Sequence, residues 1–381
     1  MRVLLVHNRY RTLGGEERHL DLLEDGLVRA GVDVERYEVT SPEQPHLDRR
    51  VAVAAGLPYR LSSRRAIADV LRTRRPDVVH AHNLMPLLTP SVLHEARRNG
   101  ARVVLTAHNY RLFCPAGTLL RRGHVHDDCV AGSSLVCGFR GARDSRLESV
   151  AYGLTLELHR RFRLIQRWVD AIVVPSAYLG ETLRRAGFPG DRIHLVRLGL
   201  PVDGWAPRSR EHGLYAGRLS PEKGLDVLLE AARRAGIPLR IAGDGPMVPQ
   251  VRAAAAGDLE YLGLLSADEL ATVRRRAAFV VVPSVWADIS PFAALEALAD
   301  GTPVIASRIG GLTEIVDDPR VGTIVPPGDP VALAAAMLDW WRRRDAADVG
   351  RAAWERARER YELERQTRQI IGLYRSVLES A

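Results

Sequence analysis

Three short segments of the sequence carry side chains able to hold a phosphate or a sugar. The first is Ser290-Pro-Phe292-Ala293-Ala-Leu-Glu296, running on to Gly301. Ser290 reads as an N-cap, with Pro291 at the first helical position and Gly301 closing the helix. The first turn then offers N–H groups, those of Phe292 and Ala293 among them, at the positive end of a helix dipole. That suits a phosphate. Glu296 lies on the same face as Phe292, where a carboxylate can accept bonds from two ribose hydroxyls. Asp288, just before the helix, could meet a sugar. An ordinary capped helix with one partly buried Glu accounts for the same residues. The second segment is Gly217-Arg218-Leu-Ser-Pro-Glu-Lys223-Gly224, where two cations in a glycine-bounded loop could share one diphosphate. The third is Thr12-Leu-Gly14-Gly15-Glu16, whose paired glycines permit close approach of a phosphate. Gly243-Asp-Gly245-Pro246 is a further glycine turn. No G-x-G-x-x-G occurs, which argues against a nicotinamide enzyme.

Histidines gather after two strand-like runs, as His80 and His82 and as His108-Asn109. His108 could donate to a substrate hydroxyl or orient it; a structural hydrogen-bonding role fits each of them equally. Cys114, His126, Cys129 and Cys137 fall within one short stretch. A closed Cys3His set would be a structural zinc site. Free thiols in a reducing compartment are the alternative, because the outer spacings match no fixed zinc pattern.

Composition narrows the classes. The 381 residues include 54 Lys+Arg against 46 Asp+Glu, a net charge of +8, yet lysine occurs once, at Lys223. Schiff-base chemistry would have to use that residue. A hydrophobic share of 46% with 26% charged residues excludes whole-chain disorder, collagen and coiled coil. The longest apolar run, Ala277 to Val282, is far short of a membrane span of about 20 residues. The N-terminal MRVLLVHNRY reads as a first strand rather than a signal peptide. Three cysteines argue against a secreted disulfide scaffold, so a cytoplasmic location is expected. Arginine doublets and triplets read as solvated helix faces; the weaker reading is contact with an anionic membrane surface or an acidic acceptor. Dispersed arginine and 6% aromatic residues argue against nucleic acid binding.

The elements that must position these residues alternate between β-branched runs and helical stretches. The strand-like runs are Val3–Val6, Val34–Val39, Val78–His82, Val103–His108, Ile172–Pro175 and Ile193–Leu198, then Leu214–Ala216, Leu239–Ala242, Leu259–Leu262, Val280–Pro283, Val304–Ala306 and Thr323–Val325. Helices Glu16–Ala30 and Leu225–Ala235 end at Gly31 and Gly236. This pattern predicts two α/β domains with parallel sheets wrapped by helices. The Pro- and Gly-rich stretch from Leu198 to Arg210 reads as the linker. Residues 109–150 read as an insertion on the first domain, and Asp345 to Glu379 as helical.

Taken together, these motifs resemble the retaining family-4 glycosyltransferases. The resemblance rests on Gly217-Arg218…Glu222-Lys223-Gly224, Gly243-Asp-Gly-Pro, Pro283-Ser284…Asp288-x7-Glu296, Gly301-x-Pro303-Val-Ile-Ala306 and Gly310-Gly311…Glu314. In the first half it adds Gly14-Gly15-Glu16, Val79-His-Ala-His82-Asn83 and Thr106-Ala-His108-Asn109-Tyr110. It implies a GT-B fold of two Rossmann-like doubly wound domains facing across a cleft. Residues 1–199 would bind the acceptor and residues 200–354 the nucleotide sugar, with a final helix, 355–381, crossing back onto the first domain. By position, Arg218 and Lys223 would neutralise the departing diphosphate, and Glu296 would hold the ribose. Asp288 would contact the donor sugar where the family has Glu, one methylene longer. Gly15, Ser290, Phe292, Ala293, Gly243 and Leu262 would complete the donor site, and His108 would serve the sugar or the acceptor. The family implies no catalytic metal and no protein nucleophile; the leaving phosphate itself deprotonates the acceptor. A UDP-sugar is the expected donor and a glycan, lipid-linked or natural-product hydroxyl the acceptor. A GT-B epimerase or phosphorylase and a non-catalytic carbohydrate-binding protein are the rival readings.

Overall fold

The computed structural model describes residues 1–9, 14–40, 56–121, 124–143, 145–206, 209–343 and 345–380. Thr12 and Leu13 of the first glycine motif lie outside the described residues. The chain forms two compact units. One is built mainly of Met1–Arg121, His126–Gly199 and Leu363–Ala381, the other mainly of Leu200–Glu362.

The first unit carries six parallel strands: β1 (Arg2–Arg9), β2 (Asp33–Thr40), β3 (Val78–Ala81), β4 (Arg102–Thr106), β5 (Ala171–Val174) and β6 (Ile193–Leu195). Their order is β2-β1-β3-β4-β5-β6. The chain steps outward from β1 to β2 and then returns to the other side of β1 for β3. This makes the β1/β3 edge a topological switch point. β3, β4 and β5 are almost wholly buried, as continuous apolar runs between two helical layers should be. Helix Gly15–Arg29 buries Leu20, Leu23 and Leu27 against this sheet, together with Ile370, Tyr374 and Val377 of helix Leu363–Glu379. These two helices pack so closely that a Cβ at Gly26 would stand 2.3 Å from Thr367 Oγ1.

The second unit repeats the plan with β7 (His212–Ala216), β8 (Leu239–Ala242), β9 (Leu259–Gly263), β10 (Ala277–Val282), β11 (Val304–Ser307) and β12 (Gly322–Val325). All are parallel, in the order β9-β8-β7-β10-β11-β12. The switch point lies between β7 and β10. Helix Leu225–Ala235 ends at Gly236, whose φ of +55° is the left-handed conformation that closes a helix. The helical tail is two helices, Ala346–Tyr361 and Leu363–Glu379, separated by an extended Glu362. The first belongs to the second unit and the other to the first unit. No helix among the described residues is long and apolar enough to cross a membrane.

Candidate functional site

In the second unit the loops that leave β7 and β10 at their carboxyl ends meet beside the switch point. The β7 loop is shaped by glycines at which a side chain would strike main chain. A Cβ on Gly224, at φ +73°, would come within 2.0 Å of the Pro283 carbonyl oxygen; one on Gly243 would reach the Gly217 oxygen at 1.9 Å. Tyr215 donates its hydroxyl to the Arg218 carbonyl at 2.7 Å. The Arg218 guanidinium is exposed, with no partner among the described residues.

Lys223 is engaged. Its Nζ donates to Asp288 Oδ2 at 2.6 Å and stands 5.1 Å from the centre of the Trp286 ring. Ser284 Oγ donates to the same oxygen at 3.1 Å. Asp288 is almost wholly buried, and the Gly311 N–H donates to its main-chain carbonyl at 2.7 Å. Burial, with the neighbouring Asp288 and Glu222 carboxylates, pushes the Tyr215 phenol up, so it stays a neutral donor.

The following helix begins one residue later than its sequence predicts. Pro291 is the N-cap, with ψ of 126°, and the helix spans Phe292–Ala299. Ser290 is therefore not the cap. Pro291 itself is extended, at φ −71° and ψ 126°, so helical dihedrals begin only at Phe292. Asp300 is the C-cap, and Gly301 turns left-handed at φ +70°. Glu296 is buried, and its Oε2 accepts from Arg274 Nη1 at 2.7 Å; Arg274 Nε donates to Asp300 Oδ2 at 2.6 Å. Arg274, which fixes the carboxylate expected to hold a ribose, gave no signal in the sequence beyond its place in an arginine triplet. Gly243 packs on the β7 loop, whereas Leu262 is half-buried within β9. Phe292, Ala293 and Ser290 are half-buried around the start of the helix.

In the first unit the residues gather at the other switch point. The Asn8 N–H donates to the Asn83 carbonyl at 2.8 Å, and Asn83 Nδ2 donates to the Asn8 carbonyl at 2.7 Å, tying the ends of β1 and β3. Gly15 is the first residue of its helix, and Glu17 Oε2 accepts from the Gly14 N–H at 2.9 Å. Asn109 Nδ2 donates to Glu16 Oε1 at 2.6 Å, while burial pushes the Glu16 carboxyl up. The His82 Nδ1 and His108 Nε2 atoms are 3.0 Å apart, and the His19 ring lies 5.0 Å from that of His108. Burial lowers His19 to about 4 and holds His82 and His108 well below the usual range, so these rings are neutral donors and acceptors. His108 is the half-buried outer member. His80 is part of β3 and is structural: its two nitrogens lie 2.6 Å from Tyr374 Oη and 2.7 Å from Thr106 Oγ1. Sequence reasoning missed His19 and Gln366, whose Nε2 atoms are 2.7 Å apart, because the two lie at opposite ends of the chain.

The family model described as Glycosyltransferase Family 4 matches residues 13–203, and that described as Glycosyl transferases group 1 matches residues 210–343. The chain is 25% identical to the O-antigen chain mannosyltransferase C of Escherichia coli over the full length of both. It superposes on the sucrose-phosphate synthase of Thermosynechococcus elongatus with a TM-score of 0.73 at 22% identity, covering all of both chains. It superposes on Anabaena Alr3699/HepE, solved with UDP, with a TM-score of 0.69 at 16% identity, covering 99% of this chain and 100% of that one. These likenesses bear out the GT-B class of two Rossmann-like units.

Proposed function

Because the chain belongs to glycosyltransferase family 4 and is a glycosyltransferase, we propose that it moves a sugar, with retention of configuration, from a nucleoside diphosphate sugar to an acceptor hydroxyl. The observation that carries this reading is the Arg218–Lys223–Asp288 group at the β7/β10 switch point, where doubly wound sheets take their ligands. UDP in the Anabaena neighbour supports a UDP-sugar as donor. The mannosyltransferase relative supports a glycan acceptor.

The chemistry is electrostatic. The C–O bond between sugar and diphosphate breaks as the acceptor oxygen bonds to the sugar, and negative charge grows on the departing phosphate. Arg218 and Lys223 meet that charge together with the N–H groups of Phe292 and Ala293. Asp288 serves as a sugar contact rather than a nucleophile. Its Oδ2 is taken by Lys223 and Ser284, so Oδ1 is the oxygen offered to a sugar hydroxyl. Glu296, oriented by Arg274, takes the ribose, and Ser290, Gly243 and Leu262 complete the nucleotide contacts. The acceptor is assigned to the first unit, where His108 stands as a neutral group able to orient a hydroxyl. The transfer is assigned to the cytoplasm or the inner face of its membrane, onto a glycan, lipid-linked or natural-product hydroxyl.

A thermal-shift and donor-hydrolysis screen over UDP-, GDP- and dTDP-sugars tests this. One nucleotide class should raise the melting temperature and be hydrolysed slowly without acceptor. If none does either, the donor assignment fails.

A further inference from the structure

The insertion after β4 holds four residues that the transfer reaction does not use. Cys114, His126, Cys129 and Cys137 are separated by eleven, two and seven residues, a spacing with no regular pattern. The fold nevertheless brings one ligand atom from each to within 4.8 Å of the other three. All three cysteines are buried and none is in a disulfide.

Each ligand is fixed by its own local structure. Cys114 closes the turn after Tyr110, its N–H donating to the Tyr110 carbonyl at 2.7 Å, and the Gly117 N–H donates to the Cys114 carbonyl at 3.0 Å. His126 is held by its N–H to the Leu119 carbonyl at 2.9 Å. Cys129 lies in the turn closed by the Val130 N–H on the Asp127 carbonyl. Cys137 projects from helix Ser134–Phe139, which Ser133 caps. That helix is pinned on Arg146–Arg161 by glycines. A Cβ on Gly138 would stand 2.5 Å from the Ser149 carbonyl, and one on Gly153 2.8 Å from that of Ser134. Four ligands therefore come from four separately anchored pieces of backbone.

We infer that this cluster is a closed, structural zinc site with three thiolates and one imidazole. Zn–S bonds of about 2.3 Å at tetrahedral angles place neighbouring ligand atoms roughly 3.7 Å apart. The distance from Cys137 Sγ to His126 Nε2 is 3.8 Å. Filling all four positions with protein ligands leaves none for water or substrate, the mark of a structural rather than a catalytic zinc. Binding one Zn²⁺ releases three thiol protons to solvent and leaves a net charge of −1. Arg121, whose Nη1 donates at 2.6 Å to Asp128, the residue next to Cys129, brings a positive charge to this insertion. The ion would tie the turn that follows His108 and Asn109 to the rest of the insertion. This assignment stands independently of the donor and acceptor readings.

The test uses the full chain purified under reducing conditions without chelator. Metal analysis should find about one zinc per chain, retained through gel filtration. An organomercurial titrating the thiols should release one zinc for three thiols modified. Exchange for Co²⁺ should give the intense visible bands of a tetrahedral site with sulfur-to-cobalt charge transfer. Cys129→Ser should hold less than a tenth of the zinc, while His126→Cys should hold it fully. The wild-type measurements decide the matter even if Cys129→Ser fails to fold. A folded wild-type chain with under a tenth of a zinc, and no tetrahedral cobalt spectrum, overturns the assignment. So does a mass two units low from a Cys–Cys disulfide.

Discussion

Lys223→Arg tests the proposed donor site most sharply, because it keeps the charge and alters only its shape. Lys223 Nζ sits 2.6 Å from Asp288 Oδ2. Asp288 cannot retreat: the Gly311 N–H holds its carbonyl at 2.7 Å, and a Cβ on Gly310 would already lie 2.3 Å from that oxygen. An arginine would keep the ion pair, so stability should move by less than about 1 kcal/mol. Its planar fork would pair along the Asp288 carboxylate and carry the remaining donors away from the point that Nζ occupies. Deleting one preorganised donor at a developing oxyanion costs about 2.7–4 kcal/mol, so a misplaced one should cost roughly half as much. At about 1.4 kcal/mol per decade, that is about a 10- to 30-fold loss in kcat. The assay is the initial rate of nucleoside diphosphate release with the donor that stabilises the protein most, run beside a melting curve. The exposed Arg234→Lys on helix Leu225–Ala235 serves as the control and should change neither. A Lys223→Arg protein with wild-type melting and a kcat within twofold of wild type would refute the placement of Nζ at the diphosphate.

Other outcomes follow from the packing. Tyr374→Phe removes the hydroxyl 2.6 Å from His80 Nδ1 and leaves a fully buried nitrogen without its partner. Denaturant unfolding should show a loss of about 1–3 kcal/mol. Gly224→Ala sets a Cβ against the Pro283 carbonyl at a left-handed φ, so stability should fall by about 2 kcal/mol or more and nucleotide-induced thermal shifts should shrink with it. Acid should destabilise the chain through its buried histidines. His19 and His80 are lowered from 6.5 to about 4 and about 3, so the unfolded state takes up protons first as the pH falls. Their stabilising effect is intact above pH 6.5 and is lost progressively as the pH falls through 6.5 towards 4 and 3. At pH 5 each should have lost about 2 kcal/mol, which urea melts at pH 7.5 and 5 will measure.

The inner strand-like runs were legible because parallel strands buried on both faces are apolar throughout. The edge strand β2, half-exposed and rich in charge, was legible by its β-branched and aromatic residues instead, and each of the twelve runs overlaps a strand of the structure. Caps were legible where glycine marked them, as at Gly236, and shifted where proline competed, as at Pro291. The break at Glu362 was not legible: no glycine or proline announces it. Within the site, motif spacing identified Lys223 and Asp288 separately. Their pairing, across 65 residues, is a property of strand order and not of either motif. The same holds for Arg274 on Glu296 and for Gln366 on His19. The cysteine insertion shows the converse, since spacing without a pattern still converges once four backbone segments are anchored.

The single lysine has a practical consequence. Amine-selective reagents, which tag scattered surface positions on most proteins, find here one side-chain target, and it is paired with Asp288. Mass tagging of that amine therefore becomes an occupancy footprint: protection by a nucleotide can be read without turnover or a known acceptor. Immobilisation through side-chain amines would for the same reason tether the protein by the very group under study, so surface-based binding measurements should couple it through an added tag instead.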